Sequence, residues 1–371
     1  IKKPDSKKEP DLIGNQISFY AETPDDAKNV LSQFISEINK AAYKIELDNF
    51  INKKYELVFE GLKGEDEAVR VSNNKVLNLI AKENPFMIGG SADLRESTKA
   101  NIIDSGYFNK DNYKNRNIPY GIREHAMGAI SNGLALSNLV PFASTFLSFS
   151  DYLKPSIRLS ALMNLFVIYI FTHDSITVGE DGPTHQPIEQ LVGLRSIPNL
   201  DVYRPSDINE VIGSYKAMFK RRKASCLIAS RNKTKLKNET QIKLVEKGGY
   251  ILKETKEVDF VIISCGEELD LAVDIFDDLS SKGYNLRLIS MPSLNIFKEQ
   301  SEEYQKEVLT DKKKFVIEFS SSMSWTSITD EKHIFSVNSF GKSGKVTDIL
   351  EYFNLTHDTI EKEILKMINE R

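Results

Sequence analysis

An acidic residue stands between two residues that can carry positive charge in the segment GIREHAMG at positions 121–128. The small and apolar residues that follow predict a buried helix over 129–136. A carboxylate at the start of such a helix is shielded from water, and the low local dielectric strengthens its hydrogen bond to an imidazole or a heteroaromatic nitrogen. The alternative is an ordinary surface pair of Arg123 and Glu124. Glu124 is the first candidate for a catalytic residue.

Three aromatic side chains follow at intervals of three: Phe146, Phe149 and Tyr152. In a helical or near-helical turn this spacing puts their faces on one side, where they could stack on a flat ring. Such a stripe is more often plain hydrophobic core. Together with Glu124, it favours a pocket for an aromatic cofactor.

One glycine-containing segment carries His173, Asp181 and His185 directly after a strand predicted over 165–172. Loops at this position of an α/β sheet commonly bind ligands. A zinc site is the weaker alternative, because the Gly-Pro pair at 182–183 breaks helical presentation and no thiolate or further histidine accompanies the pair. We therefore predict no metal ligands in this chain. The remaining unassigned histidines, His333 and His357, match no motif and are expected at the surface.

These segments together closely resemble transketolase, a thiamine diphosphate enzyme. The resemblance covers roughly residues 65–345, which correspond to the pyrimidine-binding and C-terminal domains of that family. It rests on GGSADL at 89–94, GIREHAMG at 121–128, STFLSFSDY at 144–152, THDSITVGEDGPTHQP at 172–187, RPSD at 204–207, Ser230-Arg231, and SMPS at 290–293 with Phe297 and Gln300.

The resemblance implies a cofactor role for the first set of residues. In the family, the cofactor's own 4′-amino group removes the thiazolium C2 proton once its pyrimidine ring has shifted to the imino form. A carboxylate bonded to the opposite ring nitrogen drives that shift, and the matching residue here is Glu124. The resemblance also places Asp93 in the pyrimidine pocket, beside the aromatic stripe.

The resemblance also implies substrate roles. The residue matching Asp181 reads a sugar hydroxyl, the one matching His185 lies near the reacting carbons, and His173 would reach toward the phosphate end. Arg70, Ser97 and Arg231 complete that phosphate site, because arginine forks and a hydroxyl donate to phosphate oxygens. Any of these three could be a plain surface residue, and for Ser97 this alternative is about equally good. Arg70 also precedes a helix predicted over 73–82, whose N-terminus favours an anion.

The diphosphate half of the active site has no counterpart in this sequence. Thiamine diphosphate enzymes hold the diphosphate through Mg²⁺, using a Gly-Asp-Gly segment and a later asparagine-containing run. Neither the pair nor a substitute occurs here, since Glu180-Asp181-Gly182 does not fit. We therefore expect a fragment of a transketolase or one subunit of a split enzyme, inactive alone and dependent on a diphosphate-binding domain or subunit that supplies the Mg²⁺ ligands.

Two other functions remain open on the sequence. Deoxyxylulose-phosphate synthase and the β subunits of 2-oxoacid dehydrogenases share the architecture, although an oxoacid dehydrogenase has no sugar phosphate for these arginines to hold. A dimerising domain pair without turnover is the non-enzymatic alternative. The favoured function is transfer of a two-carbon ketol unit from a ketose phosphate to an aldose phosphate, in a homodimer.

Hydrophobic patterning predicts two consecutive doubly wound α/β domains with mainly parallel sheets. Residues 1–64 form a helical lead-in or connector, residues 65–240 the pyrimidine-binding domain and residues 241–371 the C-terminal domain. Continuous apolar runs alternating with helices indicate strands buried on both faces. The second domain opens with a β-α-β unit, its strands predicted over 259–264 and 285–290 and its helix over 267–281.

Composition excludes several classes of function. A formal net charge of −4 argues against nucleic-acid binding. The longest apolar run, 162–171, is about half of the ~20 residues that a membrane crossing needs. Two cysteines in apolar runs fit burial and a reducing, cytoplasmic setting. Because the first residues lack Met and an apolar core, we expect a chain that begins mid-protein or after trimming.

Overall fold

The computed structural model describes Leu57, Phe59 and residues 61–369, and these form two α/β domains as predicted. The predicted helical lead-in over 1–64 lies almost wholly outside the described residues. Within the described part of the chain, no helix has both the length and the apolar character that crossing a bilayer demands.

A parallel sheet of five strands forms the first domain. The described strands of the domain, five in this sheet and two outside it, are β1 (Glu67–Ala68), β2 (Met87–Ser91), β3 (Val140–Phe146), β4 (Ile168–Thr172), β5 (Asp201–Tyr203), β6 (Ser225–Ala229) and β7 (Lys233–Thr234). The sheet order is β2-β3-β4-β6-β5, while β1 and β7 pair separately and antiparallel. Every residue of the five sheet strands is buried, which explains why these strands are mostly apolar or small-residue runs; the exception is the buried Asp201 in β5.

Helices cover both faces of this sheet. In chain order they are α1 (Val69–Glu83), α2 (Arg95–Thr98), α3 (Glu124–Leu136), α4 (Ser150–Leu162), α5 (Gln190–Arg195) and α6 (Ile208–Arg221). The strand predicted from residue 165 begins only at Ile168, because the Leu165 amide still closes the end of α4 by donating to the Ser160 carbonyl at 2.9 Å.

Helix α1 begins earlier than predicted, at Val69 rather than at residue 73, so Arg70 lies in its first turn and not before it. The cause is a tertiary contact. The amide of Val69 donates to Ser230 Oγ at 3.0 Å and that of Arg70 to the Ser230 carbonyl at 3.3 Å. These bonds satisfy amides that a helix leaves unpaired at its start.

Helix α3 also begins before the predicted residue 129, with Glu124 as its first residue. Close approach to α4 fixes this end of the helix. A Cβ added at Gly128 would lie 2.7 Å from Ser156 Cβ, so only glycine lets the two helices approach this closely. Ser156 Oγ donates to the His125 carbonyl at 3.1 Å, and its own carbonyl accepts from Asn132 Nδ2 at 2.9 Å.

The second domain contains the predicted β-α-β unit within a mixed sheet of order β12-β11-β9-β10-β8, in which β8 alone is antiparallel to its neighbour. Its strands are β8 (Tyr250–Glu254), β9 (Phe260–Ser264), β10 (Leu286–Ser290), β11 (Lys313–Ile317) and β12 (Ile334–Phe335). Its helices are α7 (Glu268–Ser281), α8 (Leu294–Lys298), α9 (Glu302–Leu309), α10 (Val346–Tyr352) and α11 (His357–Asn369).

Burial confirms one expectation about single residues and corrects another. Cys226 and Cys265 are both free and buried, as their apolar surroundings predict. His333 is only 7% exposed, so its predicted surface position is wrong. Its ring packs edge-on against Phe315 at 5.3 Å. This contact depends on the next strand of the sheet, so the residues next to His333 in sequence do not signal it.

Candidate functional site

Most of the candidate residues follow the carboxyl ends of neighbouring parallel strands in the first domain. Asp93 comes after β2, Phe146 ends β3, His173 follows β4 and Arg231 lies two residues after β6. Parallel strands end at one edge of a sheet, and ligands of α/β folds bind at that edge. The topology thus gathers side chains that are far apart in sequence.

The aromatic stripe and both motif histidines form one ring cluster. The Phe146 centroid lies 3.8 Å from that of His173 and 5.5 Å from that of Phe149. The Phe149 centroid lies 5.2 Å from that of His185 and 6.0 Å from that of Tyr152. Successive turns between β3 and α4 bring these rings close together. The amide of Phe149 donates to the Phe146 carbonyl, and the amide of Tyr152 donates to the Phe149 carbonyl, each at 3.0 Å. Tyr152 is 65% exposed and forms the outer end of the row.

Glu124 is buried but unpaired. Its side chain is 8% exposed, and its carboxylate makes no hydrogen bond or ion pair with any described residue. The surface pair with Arg123 is not formed, since Arg123 Nη1 donates to the Tyr120 carbonyl at 3.2 Å. A buried carboxylate without a partner is costly, although the N-terminus of α3 offsets part of that cost. Glu124 is therefore available to a donor on a ligand.

Asp93 and Ser97 line a common cavity of about 250 Å³, together with Gly90, Ser91 and Gly121. Asp93 has a left-handed backbone with φ of 61°, which turns the chain sharply after β2. The described residues thus place Asp93 and the start of the 121–128 segment around one space. Glu124 does not line this cavity itself.

Both motif histidines keep one ring nitrogen free. His173 Nδ1 lies 2.8 Å from Thr172 Oγ1, and His185 Nδ1 lies 2.9 Å from Thr184 Oγ1. Neither Nε2 has a partner among the described residues. In each case the preceding threonine selects the ring orientation, which leaves the distal nitrogen for a ligand.

Positive charge converges beside the ring cluster. Burial, together with the charges of Arg70, Arg231 and His185, lowers the pKa of His173 to about 3. Burial, and then Arg231, also lower the pKa of Arg70. Arg231 Nη1 donates to the Val178 carbonyl at 2.8 Å and lies 3.5 Å from Asp181 Oδ2. These groups face one space with more positive than negative charge, which suits an anion.

The guanidinium of Arg70 is only partly hydrogen-bonded. Its Nη1 donates to the Ser97 carbonyl at 2.6 Å, while its buried Nε has no partner in the described structure. An unpaired buried donor beside like charge is unfavourable until an acceptor arrives. Ser97 therefore orients Arg70 with its backbone, whereas the sequence suggested a role for its hydroxyl.

A buried ion-pair network next to this site was missed by the sequence analysis. Arg204 was noted only as part of the RPSD segment, yet it is fully buried and bonds to Asp174, the residue after His173. Its other partners, Glu268 and Glu318, belong to the second domain. The only sequence signal was a charged residue directly after an apolar strand.

One group in the described chain has the composition of a metal site: Asp278, His357 and Glu361, between α7 and α11. Glu361 already pairs with Lys282. We assign no ion to it.

Two family descriptions match this chain. "Transketolase, pyrimidine binding domain" matches residues 66–237, and "Transketolase-like TK C-terminal domain" matches residues 248–356. The chain belongs to the transketolase family. This agrees with the resemblance seen in the motifs.

Relatives of this family member show how much of a transketolase it represents. The transketolase of Aquifex aeolicus is 40% identical over 333 residues, which are 86% of this chain and 48% of the relative. A Pichia stipitis transketolase solved with sedoheptulose-7-phosphate is 32% identical with a TM-score of 0.81, over 93% of this chain and 54% of the other. The chain thus spans about half the length of these transketolases.

A second similar structure is itself short. A split-gene transketolase, solved as an inactive β4 tetramer, has a TM-score of 0.65 and 24% identity, over 82% of this chain and 98% of that chain. At this identity the likeness shows a shared fold alone.

Proposed function

We propose that this chain supplies the pyrimidine-binding half of a transketolase active site, which transfers a two-carbon ketol unit between sugar phosphates with thiamine diphosphate. The observation that carries the proposal is the buried carboxylate of Glu124, which has no partner among the described residues, on the domain whose neighbouring strands present a ring cluster and a cationic pocket. Family membership supports it, as does the relative that holds sedoheptulose-7-phosphate.

The residues of the site fit the cofactor's pyrimidine ring. Glu124 would accept a hydrogen bond from a ring nitrogen, because its carboxylate has no other partner in the described chain. Phe146, Phe149 and Tyr152 would provide an apolar wall of aromatic rings, and Asp93 would contribute a polar contact to the pyrimidine pocket. When bound, the cofactor supplies carbanion stabilisation, while the protein supplies orientation and a dry environment.

The substrate would lie across the histidines toward the arginines. His185 packs against Phe149 at 5.2 Å. It would bond near the reacting carbons, and Asp181 would bind a sugar hydroxyl. His173 is neutral near pH 7 because its pKa is low, so its free Nε2 can accept or donate a hydrogen bond. Arg70, Arg231 and the Ser97 segment would grip the phosphate.

The other half of the site would come from a partner. The chain covers about half of its relatives and lacks the Gly-Asp-Gly segment, so we place the Mg²⁺ and diphosphate ligands on another domain or subunit. The split-gene relative, inactive as a β4 tetramer, is consistent with such a division. We also propose a homodimer, through the surface formed by α4 and the residues just before α3, which exposes Ile122, Leu159 and Leu162.

Calorimetry tests the proposal directly. We expect weak thiamine diphosphate binding by the chain alone, because stacking and a few hydrogen bonds must offset the cost of ordering the ligand. Addition of Mg²⁺ and a diphosphate-binding transketolase domain should yield tight binding and ketol transfer. Tight, Mg²⁺-dependent binding by the chain alone would contradict the proposed division of the site. Tight binding of the cofactor by the pair without any transfer would contradict the assigned reaction.

A further inference from the structure

The boundary between the two domains holds a charged network with almost no access to water. Arg204 is 0% exposed and lies directly after β5. Its Nη2 is 2.9 Å from Asp174 Oδ2 and 2.6 Å from Glu268 Oε2, and its Nη1 is 3.3 Å from Glu318 Oε1. Arg204 therefore links the loop after β4 to two carboxylates of the second domain.

The second-domain end of this network is held firmly. Glu318 accepts from Trp325 Nε1 of its own domain at 2.6 Å, and from both Nη atoms of Arg195, at the end of α5 in the first domain, at 2.7 and 2.8 Å. Glu268 additionally accepts from the Phe319 amide at 3.1 Å. Backbone bonds tie Arg204 to the same domain, since its amide donates to the Pro292 carbonyl at 2.7 Å. The guanidinium of Arg204 thus has a single well-defined position.

The first-domain end adjoins His173. Asp174 is bonded twice to Arg204, by Nε at 3.1 Å and Nη2 at 2.9 Å. One peptide bond away, His173 has a left-handed backbone with φ of 61°. A non-glycine residue keeps such a conformation only when its surroundings impose it. The two hydrogen bonds from Arg204 to Asp174 are one such constraint, and the contact of the His173 ring with Phe146 at 3.8 Å is another.

We propose that Asp174 and Arg204 are positioning residues through which the C-terminal domain orients His173, and thereby sets the affinity for the phosphate end of the substrate. The part of this inference that concerns phosphate affinity rests on the proposed function. The part that concerns the orientation of His173 does not. The network is poorly explained as a source of stability alone. Buried ion pairs lose in desolvation much of what they gain in attraction, and fixing one geometry is their better-attested effect.

The test compares three variants with a control in the reconstituted enzyme. Asp174→Asn disrupts the ion pair between Asp174 and Arg204 beside His173. Glu318→Gln and Glu268→Gln each remove one of the second-domain carboxylates that hold Arg204. Glu254→Gln is the control, because it neutralises a carboxylate paired with Arg287 at 2.7 Å inside the second domain. We expect the three variants to raise KM for a ketose phosphate about two- to thirtyfold, the usual range for such networks, with little change for hydroxypyruvate. The control should change neither.

A second measurement separates positioning from activity. In the chain labelled with ¹⁵N-histidine, the ring signal lost in His173→Gln identifies His173. It should shift in the three variants and not in Glu254→Gln, while the His125 signal serves as an internal reference. If one variant fails to fold, the remaining two carry the comparison.

The possible outcomes distinguish this inference from the proposed function. Equal KM increases for phosphorylated and unphosphorylated donors, or an unmoved His173 signal in folded variants, would overturn the positioning role. Should the unmutated reconstituted enzyme transfer no ketol unit, the proposed function fails, and the shift of the His173 signal still decides whether the C-terminal domain orients this residue.

Discussion

Replacing Glu124 should separate stability from catalysis. In the isolated chain its carboxylate has no partner among the described residues and is only 8% exposed. Glu124→Gln therefore removes a poorly solvated charge and loses only its interaction with the N-terminus of α3, about 0.3–1 kcal/mol. We expect the free energy of unfolding to stay within about 1 kcal/mol of the original value or to rise.

The same substitution should be severe in the reconstituted enzyme. A hydrogen bond to a charged group contributes about 1.5–3 kcal/mol, and one factor of ten in rate corresponds to about 1.4 kcal/mol. Loss of the bond between Glu124 and the cofactor ring should thus lower turnover at least about 10- to 150-fold at saturating cofactor. Urea unfolding of the chain and initial rates of the reconstituted enzyme provide the two measurements.

Glu210 offers a matched control. It too lies in the first turn of a helix, α6, and is buried, but it accepts hydrogen bonds from the Ser206 amide at 2.8 Å and the Tyr250 hydroxyl at 2.7 Å. Glu210→Ala leaves these donors unpaired, at about 1–3 kcal/mol each, so it should lower stability by about 2 kcal/mol or more. A near-normal rate for Glu124→Gln, or a loss of stability equal to that of the control, would refute the assigned role.

Two further predictions concern the anion site. Arg70→Ala and Arg231→Ala should raise KM for phosphorylated donors far more than for hydroxypyruvate, because the two arginines bind a remote phosphate equally in the ground and transition states. Arg287→Ala serves as the control. Equal effects on both donors would count against the site. The pKa of His173 is about 3 in the folded chain and near 6.5 in the unfolded chain. As the pH falls below about 6.5, the unfolded state therefore binds a proton that the folded state does not, and the free energy of unfolding decreases. Between pH 7 and pH 5 this residue should lower the free energy of unfolding by about 2 kcal/mol. His173→Gln should lose correspondingly less stability on acidification, and an unchanged pH dependence of urea unfolding would contradict the low pKa.

Most strands and helices could be predicted from local sequence, because burial of an element produces a local pattern of apolar residues. Strands β3, β4 and β6 are buried on both faces and therefore read as continuous apolar or small-residue runs. Helix starts were less predictable. The start of α1 depends on Ser230, which lies 161 residues after Val69, so the residues around position 69 alone do not indicate it.

The candidate residues themselves were found by sequence, since glutamate, histidine and arginine in motif positions carry their chemistry in their side chains. Residue types and spacing indicated a carboxylate site at Glu124 and an aromatic stripe, whereas the phosphate site with Arg70 and Arg231 was implied by the family resemblance. Only the tertiary structure decided which groups meet: the ring of His173 against Phe146, and Arg70 beside Arg231. It also revealed Arg204 between Asp174 and Glu318, a contact across 114 residues of chain. The ring contact arises because parallel strands bring their carboxyl ends to one edge of the sheet, and the contact of Arg204 with Glu318 arises because the two domains pack against each other; both are properties of the whole fold.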